Sequence, residues 1–356
     1  MQLKQKLFIL LSLFLTVISI SSCSTLAYYR QSISGHLQMV NQTRDIDTLL
    51  ASDETPTELK QRLRRLLDIR SFASQVLLLP DNGSYRSYAD IGRKYIVWNV
   101  FATPALSLQP AQSCFLFVGC LSYRGYFHRE DAADYAKQLE DQGLDVYLGG
   151  VSAYSTLGWF DDPLLNGMLD RSDSELARLL FHELAHQHLY IKDDSEFNEA
   201  YADSVALIGL AIWHQEPENM TESREFNAIL KRENEFTHLV LSYRAQLLQL
   251  FASELDDETK LQQKQQLYKQ LRQEYQELKT SWGGVGDYDA WFANKLNNAK
   301  ILAVSTYRHL LPLFRDTYEY LDRDLTEFYS RVRKISACDV DKRRELLREP
   351  AQSVQC

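Results

Sequence analysis

Phe181-His182-Glu183-Leu184-Ala185-His186, followed by Asn198-Glu199-Ala200-Tyr201-Ala202-Asp203, is the stretch on which the reading of this chain turns. Residues four apart share one face of an α-helix, so His182 and His186 present two imidazoles to one point. Glu183 is one residue step around the same helix and sits beside whatever that point holds. The flanks Leu179, Leu180, Phe181, Leu184 and Ala185 are apolar, so the cluster is predicted to be buried, and buried charge needs partners. Ser172 or Ser174 can cap the start of this helix, with Glu175 in its first turn. Ser195 is expected to cap a second helix, after the polar turn Lys192-Asp193-Asp194. On that helix Glu199 and Asp203 again stand four apart. The spacing predicts a metal site with His182, His186 and Glu199 as ligands. Zinc suits this nitrogen and oxygen donor set. Glu183 is predicted to act as the base on a zinc-activated water, and Asp203 to accept the outer N–H of a ligand histidine. The plain alternative is a buried helix whose histidines bond to neighbours without metal. His188 points away from the pair and is read as a packing or surface histidine.

The pattern resembles the gluzincin metallopeptidases, the thermolysin-like group, in which H-E-x-x-H is followed by N/G-E-x-x-x-D. The departure is the spacing: twelve residues separate His186 from Glu199, fewer than in thermolysin. The metzincin pattern fails, because Leu189 and Lys192 stand where its Gly and His belong. The resemblance implies a zincin-like catalytic core, one Zn²⁺ and a peptide substrate. It also implies that the segment before the first helix edges the cleft. Here that segment is Ala153-Tyr154-Ser155-Thr156-Leu157-Gly158-Trp159-Phe160-Asp161-Asp162-Pro163. Tyr154, Tyr307 and His238 are candidate donors to the oxyanion, each with a structural role as the alternative. Asp161 and Asp162 are candidate partners for a substrate ammonium, against the reading of a turn and helix cap.

The N-terminus reads as a leader. Lys4 and Lys6 precede an apolar run, Leu7 to Ile20, and Ile20-Ser21-Ser22-Cys23 resembles a bacterial lipobox. That resemblance implies cleavage of residues 1–22 and acylation of Cys23. Ser24 rather than Asp then implies the outer membrane, facing the periplasm, and residues 23–35 become a lipidated tether. The chain has 39 Lys+Arg against 48 Asp+Glu, a net charge of −9. Losing Lys4 and Lys6 makes it more acidic still, which argues against nucleic acid. Cys114, Cys120, Cys338 and Cys356 remain, an even number in an oxidising compartment. The favoured pairing is Cys114 with Cys120 and Cys338 with Cys356. The spacings are not those of a four-thiolate zinc site.

The fold class expected is α+β and mostly helical. A catalytic domain over 36–215 has a small β-rich N-terminal part, and a helical domain over 216–356 packs back on it. A first helix is expected near 36–50 and a stronger one from Thr57 to Leu79. Strands are expected around Tyr95–Phe101, Cys114–Tyr126 and Asp145–Gly150. Phe226–Leu255 and Lys260–Lys279 read as a helical hairpin, a structural arm or a surface for a protein partner. Asn297–Phe314 and Thr317–Ile335 read as two further helices.

The Leu79–Tyr85 run, Tyr123-Arg124-Gly125-Tyr126-Phe127, Tyr154–Pro163, the helix with its two histidines and Leu296-Asn297-Asn298-Ala299 together resemble a bacterial lipoprotein family of predicted aminopeptidases. The resemblance implies a zinc peptidase held in the cell envelope. The G-x-M-E-N motif that binds a free amine in many gluzincin aminopeptidases is absent, and Glu218-Asn219 is no equivalent. Two rivals stand beside this reading. One is a non-catalytic zinc-containing lipoprotein that binds a partner, for which Glu183 would have no purpose. The other is a zinc amidase acting on cell-wall material.

Overall fold

The chain is described by a computed structural model covering residues 28–115, 119–153, 155–156, 158–305 and 310–356. Cys23, Tyr154 and Tyr307 lie outside the described residues. The fold is α+β and mostly helical.

The first described element is a helix, α1, covering 28–41. Residues 28–35, expected in the tether, are therefore its first turns. Gly35, read as preceding the helix, lies within it, and a Cβ there would collide with the Phe127 ring. A short strand β1 (Thr43–Asp45) and helix α2 (Ile46–Ala51) occupy the rest of the expected first helix. Asp45 ends any continuity by capping α2, its carboxylate accepting from Thr48 N at 2.8 Å. Helix α3 (Thr57–Gln75) follows. Strands β2 (Ser87–Ala89) and β8 (Leu164–Leu165) complete a three-stranded sheet with β1.

The sheet that matters for the site has the order β6-β3-β7, all antiparallel, from β3 (Val97–Thr103), β6 (Tyr123–Tyr126) and β7 (Asp145–Val151). Its two faces differ, as the period of two requires. Val100, Ala102, Tyr126 and Val146 pack against Ala132 and Ala136 of helix α4 (Arg129–Asp141). Val97, Asn99, Phe101, Tyr123 and Gly125 face the opposite way, into a cavity. Strands β4 (Ser113–Phe115) and β5 (Gly119–Leu121) form a small hairpin closed by a Cys114–Cys120 disulfide, and a second disulfide joins Cys338 to Cys356.

Two antiparallel helices carry the motif. Helix α5 (Asn166–Leu169) leads into α6 (Asp173–His188), and α7 is Ser195–Trp213. Ser172 and Glu175 form a reciprocal capping box at the start of α6. Asp194, rather than Ser195, caps α7, accepting from Phe197 N at 3.2 Å. Its carboxylate is also held by Arg343 at 2.8 Å and Arg344 at 2.7 Å. Gly209 of α7 lets the pair close up, since a Cβ there would lie 2.5 Å from Leu77 and 3.0 Å from the Phe181 ring. Phe181, Phe197 and Tyr201 are fully buried in this layer, each contributing roughly 1.5–3 kcal/mol.

Helices α8 (Met220–Ala252) and α9 (Asp257–Ser281) are the long hairpin expected from the sequence. They share an apolar cluster with α10 (Asp289–Ala293) and α11 (Asn298–Ser305). The next segment divides more finely than expected, into α11, α12 (Leu311–Tyr320), α13 (Leu325–Ser336) and α14 (Val340–Arg348). Pro312 can enter a helix only in its first turn, and it stands there in α12. Asp324 starts α13 by accepting from the backbone N–H groups of Thr326 and Glu327. Residues of α12, α13 and α14 belong to the same apolar cluster as α3, α6 and α7. Among the described residues no helix is long and apolar enough to cross a membrane.

Candidate metal centre

Three donor atoms meet where α6 crosses α7. His182 Nε2 and His186 Nε2 are 3.1 Å apart, and Glu199 Oε2 lies 3.4 Å from the first and 3.7 Å from the second. A tetrahedral zinc with ligands at about 2.0–2.1 Å requires donors about 3.3 Å apart. The three separations bracket that edge, so the triad fits a zinc-sized ion and could hold a metal. The two imidazole planes are nearly perpendicular, at 87°. The remaining ring nitrogen of His182 meets Asp203 Oδ1 at 3.1 Å, which fixes the ring and leaves Nε2 as its inward donor. Asp203 is also 4.0 Å from Arg178, whose guanidinium is held by Glu233 of α8 at 2.6 Å. The Nδ1 of His186 is buried and has no hydrogen-bond partner among the described residues.

The electrostatics follow from this crowding. Burial alone would lower the pKa of His182, but its bonds to Asp203 and Glu199 outweigh that and hold it well above the usual value. Burial would raise Glu199, yet the two histidines hold its carboxyl far below the ordinary range. Together they form a compact charged pair in which a cation would take the place of the imidazole proton.

The triad forms one wall of a cavity of about 590 Å³. Glu183 lines it too, beside His182 and His186. The opposite wall is the sheet face carrying Val97, Asn99, Phe101 and Tyr123, and α1 contributes Tyr28, Tyr29 and Ser32. Val151, Ala153 and Ser155 line it as well. Tyr123 and Tyr190 are phenols near Glu199. Burial, with the charge of Glu199 adding to it, raises both pKa values, so both stay protonated donors at neutral pH.

The other expected residues fall elsewhere. His238 is exposed, bonds to Asn234 O at 2.8 Å and lines a separate groove between α8 and α9, so it is no oxyanion donor here. Asp161 is exposed and packs against Gly83, and neither it nor Asp162 lines the cavity. Asp162 is fully buried, and its carboxylate accepts from Thr156 N at 3.0 Å and Gln187 Nε2 at 3.3 Å. Already committed to fixing the cavity rim, it is not available for a substrate ammonium. His188 bonds to Tyr201 at 2.6 Å and packs on Tyr329, the packing role expected of it. Asp193 turns the chain with φ 64 and accepts from Cys120 N at 2.8 Å.

The rim has a support that the sequence reading missed. Arg70 of α3 is fully buried and donates to Ser84 O at 3.0 Å and Pro80 O at 2.7 Å. It rigidifies the Pro80–Ser84 turn. That turn in turn presents Asn82 and Ser84 to Gln187, one helical turn after Glu183. The signal available was the position of Gln187, four residues after Glu183 on the same helix. Asn99 was legible as well, as a polar residue on the same strand face as Val97 and Phe101.

Asp162 yields a prediction. Burial pushes its carboxyl from the usual 3.8 up to about 6, the Thr156 bonds opposing and the Glu183 charge adding. The folded value is raised, so this contribution to stability is complete below the unfolded pKa and is lost as pH rises through about 6. The shift corresponds to at most about 3 kcal/mol. Asp162→Asn, which cannot ionise, should therefore gain stability relative to the parent between about pH 4 and pH 7. Urea unfolding of both proteins across that range checks it, and parallel profiles would refute the burial argument.

Two packed helices thus place an H-E-x-x-H pair and a downstream glutamate around one point that could hold a metal ion. Residues 27–347 match the family described as "Putative aminopeptidase", and the chain belongs to that family. Neither a curated protein nor a solved structure matches it.

Proposed function

We propose that the protein is a zinc-dependent metallopeptidase with a zincin-like core, acting as an aminopeptidase and anchored in the bacterial envelope through acylated Cys23. The convergence of His182, His186 and Glu199 on one point, with Glu183 beside it in the same cavity, carries this reading. His182, His186 and Glu199 would hold the zinc, which would supply an activated water and a polarised carbonyl. The chain's own groups do the rest. Glu183 takes the proton from the attacking water and delivers it to the leaving amine. Among the donors that line the cavity, Tyr123 and Tyr190, kept protonated near Glu199, are the ones we assign to the developing oxyanion. The edge strand β7, whose last residue Val151 lines the cavity, offers backbone for a substrate strand.

Cleavage mode is the finer question. Among the described residues the cavity's carboxylates are Glu183 and Glu199, so a substrate ammonium must share one of them. The purified mature chain should carry one zinc and should cut a peptide with a free N-terminus faster than its acetylated twin. Equal cleavage of both at internal bonds would make it an endopeptidase. Cleavage of muropeptide amides alone would make it a cell-wall amidase, and no turnover with zinc present would favour the binding-protein reading.

A further inference from the structure

The outer face of α1 does not belong to the site described above. Ile33, Leu37 and Val40 are 60%, 53% and 45% exposed, and with Arg30 they form one helical stripe. Phe160, 62% exposed, adjoins α1 through a ring contact with His36 at 5.2 Å, and Trp159 next to it is 72% exposed. The exposed apolar stripe of α1 is thus flanked at His36 by Phe160, with Trp159 the next residue in the chain. Among residues 28–41 there is no Asp or Glu, although the whole chain carries −9. Arg30 and His36 are the helix's only ionisable side chains apart from its tyrosines.

The sequence places this face close to an anchor. Only Ser24-Thr25-Leu26-Ala27, all uncharged, separate Cys23 from Tyr28. Five residue steps reach at most about 18 Å. We infer that the outer face of α1, with Trp159 and Phe160, rests on the phospholipid surface in which Cys23 is anchored. The inference rests on the envelope reading and adds a defined orientation to it. An apolar stripe flanked by a cation and an exposed tryptophan is the composition that settles into the headgroup boundary. The lack of carboxylates on α1 itself limits repulsion between this acidic chain and anionic lipid, with Asp161 beside Phe160 the one exposed carboxylate adjoining the aromatic pair in sequence. Because Tyr28, Tyr29 and Ser32 on the inner side of α1 line the cavity, the docked helix is a wall of the candidate metal centre. Its substrates would then be peptides presented at the bilayer surface.

Trp159 is a natural depth probe, since the other four tryptophans of the chain's five are not exposed. The full mature chain is reconstituted into phosphatidylethanolamine–phosphatidylglycerol vesicles with brominated or ordinary acyl chains. Bromine should quench part of the emission, and that part should vanish in Trp159→Phe and in the double variant Ile33→Asp/Leu37→Asp. Far-UV circular dichroism checks that the variants remain folded. Identical emission in the two kinds of vesicle overturns the inference. So does self-association that the double variant abolishes without any bromine quenching, which would show a second copy covering the face. The mass of the N-terminal peptide tests the anchor separately. An unacylated Cys23 with quenching intact removes the anchor and keeps the docked face; an acylated Cys23 without quenching does the reverse.

Discussion

Glu183→Gln is expected to lower kcat by about 10²–10⁴-fold, or about 3–5 kcal/mol of barrier, while zinc content stays at the parent level. The two effects separate because Glu183 lines the cavity but is not one of the three converging donors. Glutamine keeps the size and the hydrogen-bonding reach of the side chain. What it loses is the ability to accept a proton from water and pass it on. Ground-state contacts with the substrate survive, so KM should change little and the loss should appear in kcat and kcat/KM together. Peptide hydrolysis and metal analysis on one preparation check this. A variant with full turnover would show that the proton goes elsewhere and would end the hydrolytic mechanism proposed above.

What the sequence made legible is what depends on local spacing. His182 and His186 share a face because they are four apart, and Glu199 and Asp203 do so for the same reason. The structure brings both pairs together because α6 and α7 run antiparallel across a short turn. The capping box at Ser172, the helix from Thr57 and the α8–α9 hairpin were likewise readable from local chemistry.

What was not legible depends on long-range burial. Asp161 and Asp162 look alike in sequence, yet one is exposed and the other fully buried under the rim it fixes. Tyr123 and Tyr190 reach the cavity from a strand and from the turn between the helices, and no local period links them to the motif. Gly35 looked like a helix boundary and is instead a close packing contact within α1. His238 has the right chemistry on the wrong groove. In each case the deciding fact is a neighbour distant in the chain.

The metal ligands themselves should show a hierarchy. His186→Ala and Glu199→Ala each remove one of three donors, and both should lose zinc and essentially all activity. The loss should also appear as stability. A metal held at a concentration 1,000 times its Kd adds about 4 kcal/mol to the folded state, and that increment disappears when the site fails. Asp203→Asn is a milder change. It leaves all three donors in place and removes only the carboxylate that orients the His182 ring from Nδ1, 3.1 Å away. Metal affinity should fall by roughly 10–100-fold, and excess zinc should restore activity. Excess zinc should not rescue His186→Ala at comparable concentrations. Competition with a chelator of known affinity, read alongside thermal unfolding with and without zinc, ranks the variants. Glu199 decides the outcome, because it is the one ligand drawn from α7 rather than from the H-E-x-x-H helix. If Glu199→Ala holds zinc as tightly as the parent, the third ligand lies elsewhere, and the 3.4 and 3.7 Å approaches to the histidines are only an ion pair.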